Sequence, residues 1–131
     1  MRERCLFMRI LIADDDAEHV AVLSSLLQLL GHECECFTVP RLAVTANDKN
    51  PYDIVLTDLC MPDMNGKEVL QHVVSKKTKT IVIIITGLYD PQMAAELLAQ
   101  GAYALFTKPL DVNQLIRSIE LLGVKQDNLS T

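Results

Sequence analysis

The sequence predicts an α/β fold, a doubly wound five-stranded parallel sheet in the order 2-1-3-4-5. Five short apolar, largely β-branched runs recur along the 131 residues, each followed by a stretch long enough for a helix. Strands joined by helical crossovers run parallel, and right-handed crossovers onto both faces give an open sheet. The fourth run, 80–85, is almost wholly apolar, as expected of a central strand covered on both sides.

The first strand is expected over 9–13, followed by a helix in which Val20, Leu23, Leu26, Leu27 and Leu30 recur at helical spacing until Gly31 ends it. A second strand, 34–38, alternates Glu with Cys or Phe. After Pro40 a helix is expected over 41–49, stopped by Asn50-Pro51, and then a third strand over 53–57. Asn65-Gly66 marks a turn before a helix over 67–75 with the stripe Val69, Leu70, Val73, Val74. Asp90-Pro91 reads as an N-cap with proline at the first helical position, opening a helix that Gly101 closes. A fifth strand is expected over 104–107. Asp111 and Gln114 resemble a capping box for a last helix through Leu122. The organisation expected is an N-terminal extension over 1–8, one domain over 9–123, and a polar tail or linker start over 124–131.

Composition narrows the function. Half of the residues are hydrophobic and 22% charged, a globular balance. A net charge of −5 without a Lys/Arg stripe argues against direct nucleic-acid binding, and Lys76, Lys77 and Lys79 suit a solvated loop. No apolar run approaches the roughly 20 residues that span a bilayer, and the N-terminus makes a poor signal peptide. Cys5, Cys34, Cys36 and Cys60 match neither a zinc pattern nor a disulfide framework, so reduced thiols in a cytoplasmic protein are expected. Cys34 and Cys36, on one face of a short strand, are expected as buried small hydrophobes.

In open parallel sheets ligands bind beyond the carboxyl ends of the strands, at the point where the winding reverses. Here those ends carry Asp14-Asp15-Asp16, Asp58, Thr86-Gly87 and Lys108-Pro109. Carboxylates converging on one crevice repel each other, and a hard divalent cation with oxygen ligands relieves this. Mg²⁺ suits best, because it takes one or two carboxylates and leaves positions for water and phosphate oxygens. A hydroxyl from Thr86 and an ammonium from Lys108 then complete a pocket for a phosphoryl group. Asp58, alone on its strand, is free to act as a nucleophile that forms an acyl phosphate. Asp15 and Asp16 also suit helix capping, with Glu18 completing a box to Asp15. Asp53 and Asp63 are expected to begin a strand and to decorate a loop. No nucleophile is spaced to pair with His19, His32 or His72, and ordinary surface or helix positions are expected for them.

Four stretches, ILIADDD at 10–16, DIVLTDLCMPDMNG at 53–66, IVIIITG at 81–87 and GAYALFTKPL at 101–110, stand in order at characteristic intervals. With them the chain resembles a response-regulator receiver domain of two-component signal transduction, in the CheY-like superfamily. The resemblance covers about 9–123 and implies a flavodoxin-like (βα)5 fold. It implies that Asp14 and Asp15 are the acidic metal pair, that Asp58 accepts the phosphoryl group and faces the metal, and that the backbone carbonyl of Cys60 is a further metal ligand. Thr86 would be the switch hydroxyl, Lys108 the phosphoryl-binding lysine, and Lys108-Pro109 a cis bond. The partners implied are a sensor histidine kinase or phosphotransfer protein, and an output domain or downstream protein met through the face of the fourth helix, fifth strand and fifth helix. Catalysis would extend to the domain's own phosphorylation and dephosphorylation, in the service of a switch.

Two departures stand out. Receivers place an aromatic three residues before the lysine, where this chain has Leu105; Phe106 falls on the opposite face of the strand, and Tyr103 on the same face. The fourth helix, PQMAAELLAQ, carries only Glu96 as a charge, which disfavours the charged dimer of the winged-helix subfamily. Cys60 and Leu88 are expected to make the entrance less polar. Rival readings are a phosphorylation-independent interaction module with a vestigial site, and a Mg²⁺-dependent aspartyl-nucleophile phosphatase. The phosphatase would need a second Asp where Cys60 stands, and a flavin carrier would be repelled by the three aspartates. The chain is expected to be either a stand-alone receiver or a piece of a longer regulator or hybrid kinase.

Overall fold

A computed structural model describes residues 7–129. Its elements alternate strictly: β1 (Arg9–Ala13), α1 (Ala17–Leu29), β2 (Glu33–Phe37), α2 (Pro40–Lys49), β3 (Ile54–Asp58), α3 (Gly66–Ser75), β4 (Ile81–Thr86), α4 (Pro91–Ala99), β5 (Ala104–Thr107) and α5 (Val112–Leu129). The strands form one sheet in the order β2-β1-β3-β4-β5, every pair parallel. This is the doubly wound, flavodoxin-like arrangement that the alternation of elements predicts.

Side-chain alternation divides the core in two. Leu11, Val55, Val82 and Ile84 face α2, α3 and α4, packing with Ala43, Val69, Leu70, Val73 and Leu97. Ile10, Ile12, Ile54, Leu56, Ile83 and Ile85 face α1 and α5, packing with Leu23, Leu27, Leu115 and Ile119. Each such fully buried Leu or Ile contributes about 1.5–3 kcal/mol. Residues 54–58 are all buried, because β3 lies between β1 and β4 with helices on both faces.

Several boundaries move by a residue or two. β3 and β4 each run one residue further than expected, so that Asp58 and Thr86 are the last residues of their strands. Pro40 opens α2 as its first residue, and Asn65 caps α3 through a reciprocal box with Glu68. α1 is capped by Asp16, whose carboxylate accepts from the Glu18 and His19 amides; the expected box from Asp15 to Glu18 is not made, and Asp15 is exposed. Asp90 caps α4 as expected, and Gly31 after α1 has φ of 97°. α5 continues to Leu129, past the expected end at Leu122, and carries part of the expected tail. Met8 is buried against the α1 and α5 face. Residues 1–6 of the expected extension, Cys5 among them, and residues 130–131 lie outside the described residues.

The second strand corrects one expectation. Among the described residues β2 pairs only with β1, at the edge of the sheet, so Cys36 is exposed and Cys34 half-buried rather than both being enclosed. Burial, with the Cys36 thiol beside it, still pushes the Cys34 thiol up to about 11, which keeps it protonated and unreactive. Among the described residues no helix is long and apolar enough to cross a membrane.

Candidate functional site

The winding reversal between β1 and β3 opens a crevice at the carboxyl edge of the sheet, where β1, β3, β4 and β5 end in or beside the polar residues singled out above. Asp14 follows β1 and is 3% exposed; Asp58 ends β3 and is 7% exposed. Asp15 projects outward. Each of Asp14, Asp15 and Asp58 offers a carboxylate oxygen, and these atoms all lie within 4.8 Å of one another. Such a trio of hard oxygen donors fits a divalent cation of the Mg²⁺ class.

Lys108 reaches in from beyond β5, its Nζ donating to Asp58 Oδ2 at 3.2 Å. The Lys108-Pro109 bond is cis, as expected, and the Lys108 amide donates to the Thr86 carbonyl at 2.8 Å, tying the lysine to the end of β4. Thr86 is 1% exposed. Its hydroxyl is engaged with its own loop, donating to the Leu88 carbonyl at 3.1 Å and accepting from the Leu88 amide at 3.2 Å. Cys60 is exposed in the loop after β3, and Leu88 is 79% exposed.

Burial, followed by the Asp14 charge, pushes the Asp58 carboxyl above its usual range, against the hydrogen bond and charge of Lys108 and a bond from the Leu59 backbone. Burial also works against the charge on Lys108. There the hydrogen bond and charge of Asp58, with Asp14 and Asp16 behind it, outweigh it and hold the ammonium above its ordinary value. The two shifts are compatible because Lys108 answers several carboxylates, whereas Asp58 has one ammonium to set against its burial and a neighbouring Asp14.

The main chain around Asp58 is tightly held. Its amide neighbour Leu59 donates to the Ile85 carbonyl, and Gly66 donates to the Leu59 carbonyl, both at 2.8 Å. A Cβ at residue 66 would lie 2.5 Å from the Asp58 carbonyl oxygen and 2.8 Å from Leu59 Cα. The glycine of the Asn65-Gly66 turn is therefore required by close packing against the backbone that carries Asp58.

His19 and His72 lie on helices as expected, each paired with a carboxylate, whereas His32 is buried rather than at the surface. His19 Nδ1 lies 2.6 Å from Asp14 Oδ2, in the crevice itself. His72 Nε2 lies 2.8 Å from Asp48 Oδ2, joining α3 to α2. His32 is buried, and its Nδ1 accepts from the Met8 amide at 3.2 Å. The sequence carried a signal for the neighbourhood of His19, though not for its partner: it is the third residue of a helix capped by Asp16, just beyond the end of β1. Asp53 accepts from the Arg9 amide at the start of the sheet, and Asp63, with φ of 77°, pairs with Arg41 in a loop. Leu105 packs on the α2–α4 side and Phe106 on the α1 and α5 side, so the two do face opposite ways.

Comparison with known proteins gives a consistent picture. Residues 10–120 match the family described as the response regulator receiver domain. The chain is 33% identical over 123 residues to the regulatory protein AtoC of Escherichia coli, and 31% identical over 134 residues to the sensory/regulatory protein RpfC of Xanthomonas campestris. Those alignments take in 91% and 99% of this chain but 27% and 18% of the relatives, so it spans about a quarter or less of their lengths. A response regulator receiver domain protein from Clostridium thermocellum superimposes with a TM-score of 0.85 at 25% identity, covering 92% of this chain and 98% of that one.

Proposed function

Since the chain belongs to the response regulator receiver domain family, we propose that it is a phosphorylation-controlled signalling switch that accepts a phosphoryl group on Asp58 in a Mg²⁺-dependent reaction. The observation that carries this reading is the meeting of a buried Asp58 with the Lys108 ammonium on one side and the Asp14 and Asp15 carboxylates on the other. The donor is a sensor histidine kinase or phosphotransfer protein. An Asp58 carboxylate oxygen attacks phosphorus as the P–N bond of the donor's phosphohistidine breaks; the bonding pair stays on the departing imidazole, which takes a proton from water.

Asp14, Asp15, Asp58 and the main-chain carbonyl of Cys60 are the groups that would hold Mg²⁺, which when bound neutralises charge on the phosphoryl oxygens. Lys108 turns from the free carboxylate to the new phosphoryl oxygens, keeping its ammonium in the site. Thr86 must exchange its bonds to Leu88 for one to a phosphoryl oxygen. That exchange couples the β4–α4 loop to phosphorylation, and driving the switch from 1:99 to 99:1 takes about 5.5 kcal/mol of differential stabilisation. The face of α4, β5 and α5 is the surface offered to an output domain or downstream protein. Leu105 occupies the place of the usual aromatic there, and this favours, as a second reading, an interaction module that works without phosphorylation.

Intact mass after incubation with acetyl phosphate and Mg²⁺ decides between the two. Gain of one phosphoryl group, lost with chelator and in Asp58→Ala, is expected. Labelling of Asp58→Ala at the wild-type rate would overturn the assignment.

A further inference from the structure

We propose that His19 is a positioning residue for the divalent cation, holding the Asp14 carboxylate in the orientation the ion requires. This deepens the metal-dependent reading above and rests on it.

A carboxylate accepts hydrogen bonds and donates none, so at 2.6 Å from Asp14 Oδ2 the His19 Nδ1 carries the hydrogen. The other oxygen, Oδ1, accepts from the Asp16 amide at 2.9 Å. The Asp14 side chain is 4% exposed, so water has little access to replace either bond. With a donor on each oxygen, the plane of the carboxylate is fixed, and fixed ligands raise metal affinity.

The donors are themselves linked. The Asp16 carboxylate caps α1 and accepts from the His19 amide at 3.2 Å. One residue thus anchors the backbone of His19 while its own amide holds Asp14. The first turn of α1 is a bracket built around one ligand. Lys108 serves Asp58 instead, so His19 supplies the only side-chain donor to Asp14 among the described residues.

The test is Mn²⁺ binding to the full chain, read from the electron paramagnetic resonance signal of the free ion, with Mg²⁺ in competition. Melting temperatures without metal are recorded alongside. His19→Leu should bind about 10–100-fold more weakly. His19→Asn, whose Nδ2 takes nearly the place of the imidazole Nδ1, should return to within about threefold of wild type. His19→Gln carries its amide one bond further out and should stay weak, which keeps the comparison informative should the leucine variant fail to fold. Equal binding by wild type and His19→Leu, or an asparagine variant as stable as wild type yet as weak as the glutamine one, would overturn the proposal. A wild-type chain that leaves all Mn²⁺ free would overturn it too, and with it the metal-dependent reading.

Discussion

Lys108 Nζ and Asp58 Oδ2 lie 3.2 Å apart, across 50 residues of sequence and from strands separated by β4. The pair joins the ends of β3 and β5 at a crevice that also holds Asp14, and its charges are unevenly matched.

The imbalance has a cost when Asp58 ionises. Its native pKa lies above its unfolded value, so the fold loses stability as pH rises from about 4 through the native value. Asp58→Asn removes that penalty. Its denaturant midpoint should exceed that of wild type at pH 7 and approach it at pH 3, where both side chains are uncharged. A variant less stable than wild type at pH 7 would contradict this.

Removing the ammonium should weaken the fold without ending the chemistry. In Lys108→Ala the buried Asp58 is left beside Asp14 without its cation, so stability at pH 7 should fall by about 1–3 kcal/mol, a loss that fades at low pH where Asp58 is protonated. Labelling by acetyl phosphate should persist, while the Thr86-linked change in the β4–α4 loop on labelling should weaken, as followed by amide chemical shifts of Leu88 and Tyr89. An undiminished loop response would remove Lys108 from the switch.

Gly66→Ala places a methyl 2.5 Å from the Asp58 carbonyl oxygen, where backbone rather than a flexible side chain must yield. A loss of about 1–3 kcal/mol in thermal or denaturant unfolding is expected, together with slower labelling of Asp58. Wild-type values for both would show that the turn relaxes freely.

His32 sets a response on the acid side. Burial lowers its native pKa, partly opposed by Glu120, so its contribution is complete above the unfolded value of about 6.5 and falls as pH drops below it. The protonated ring also cannot accept from the Met8 amide. Unfolding midpoints between pH 7 and pH 5 should fall more steeply for wild type than for His32→Asn. Parallel slopes would assign the acid sensitivity to other groups.

Much of this was readable from local patterns. The five apolar runs identify the strands because β-branched residues between helical stripes have few other uses, and once the crossovers are helical the chain can hardly form anything but a parallel sheet. Strand ends then bring Asp14, Asp58, Thr86 and Lys108 to one edge by topology alone. Boundaries were less legible, since a cap is decided by single hydrogen bonds: Asp15 and Asp16 are equal as letters, and only the path of the chain leaving β1 makes Asp16 the cap.

By itself, then, the sequence determined the sheet, its order and which residues gather at its carboxyl edge, because periodicity and crossover handedness are local constraints repeated along the chain. Only the tertiary structure decided the pairings within that edge. His19 meets Asp14, Lys108 takes Asp58, and Thr86 turns to Leu88. It also left Cys36 exposed on an edge strand. Such outcomes depend on side-chain directions, burial and the competition of several partners for one oxygen, which no spacing in the sequence encodes.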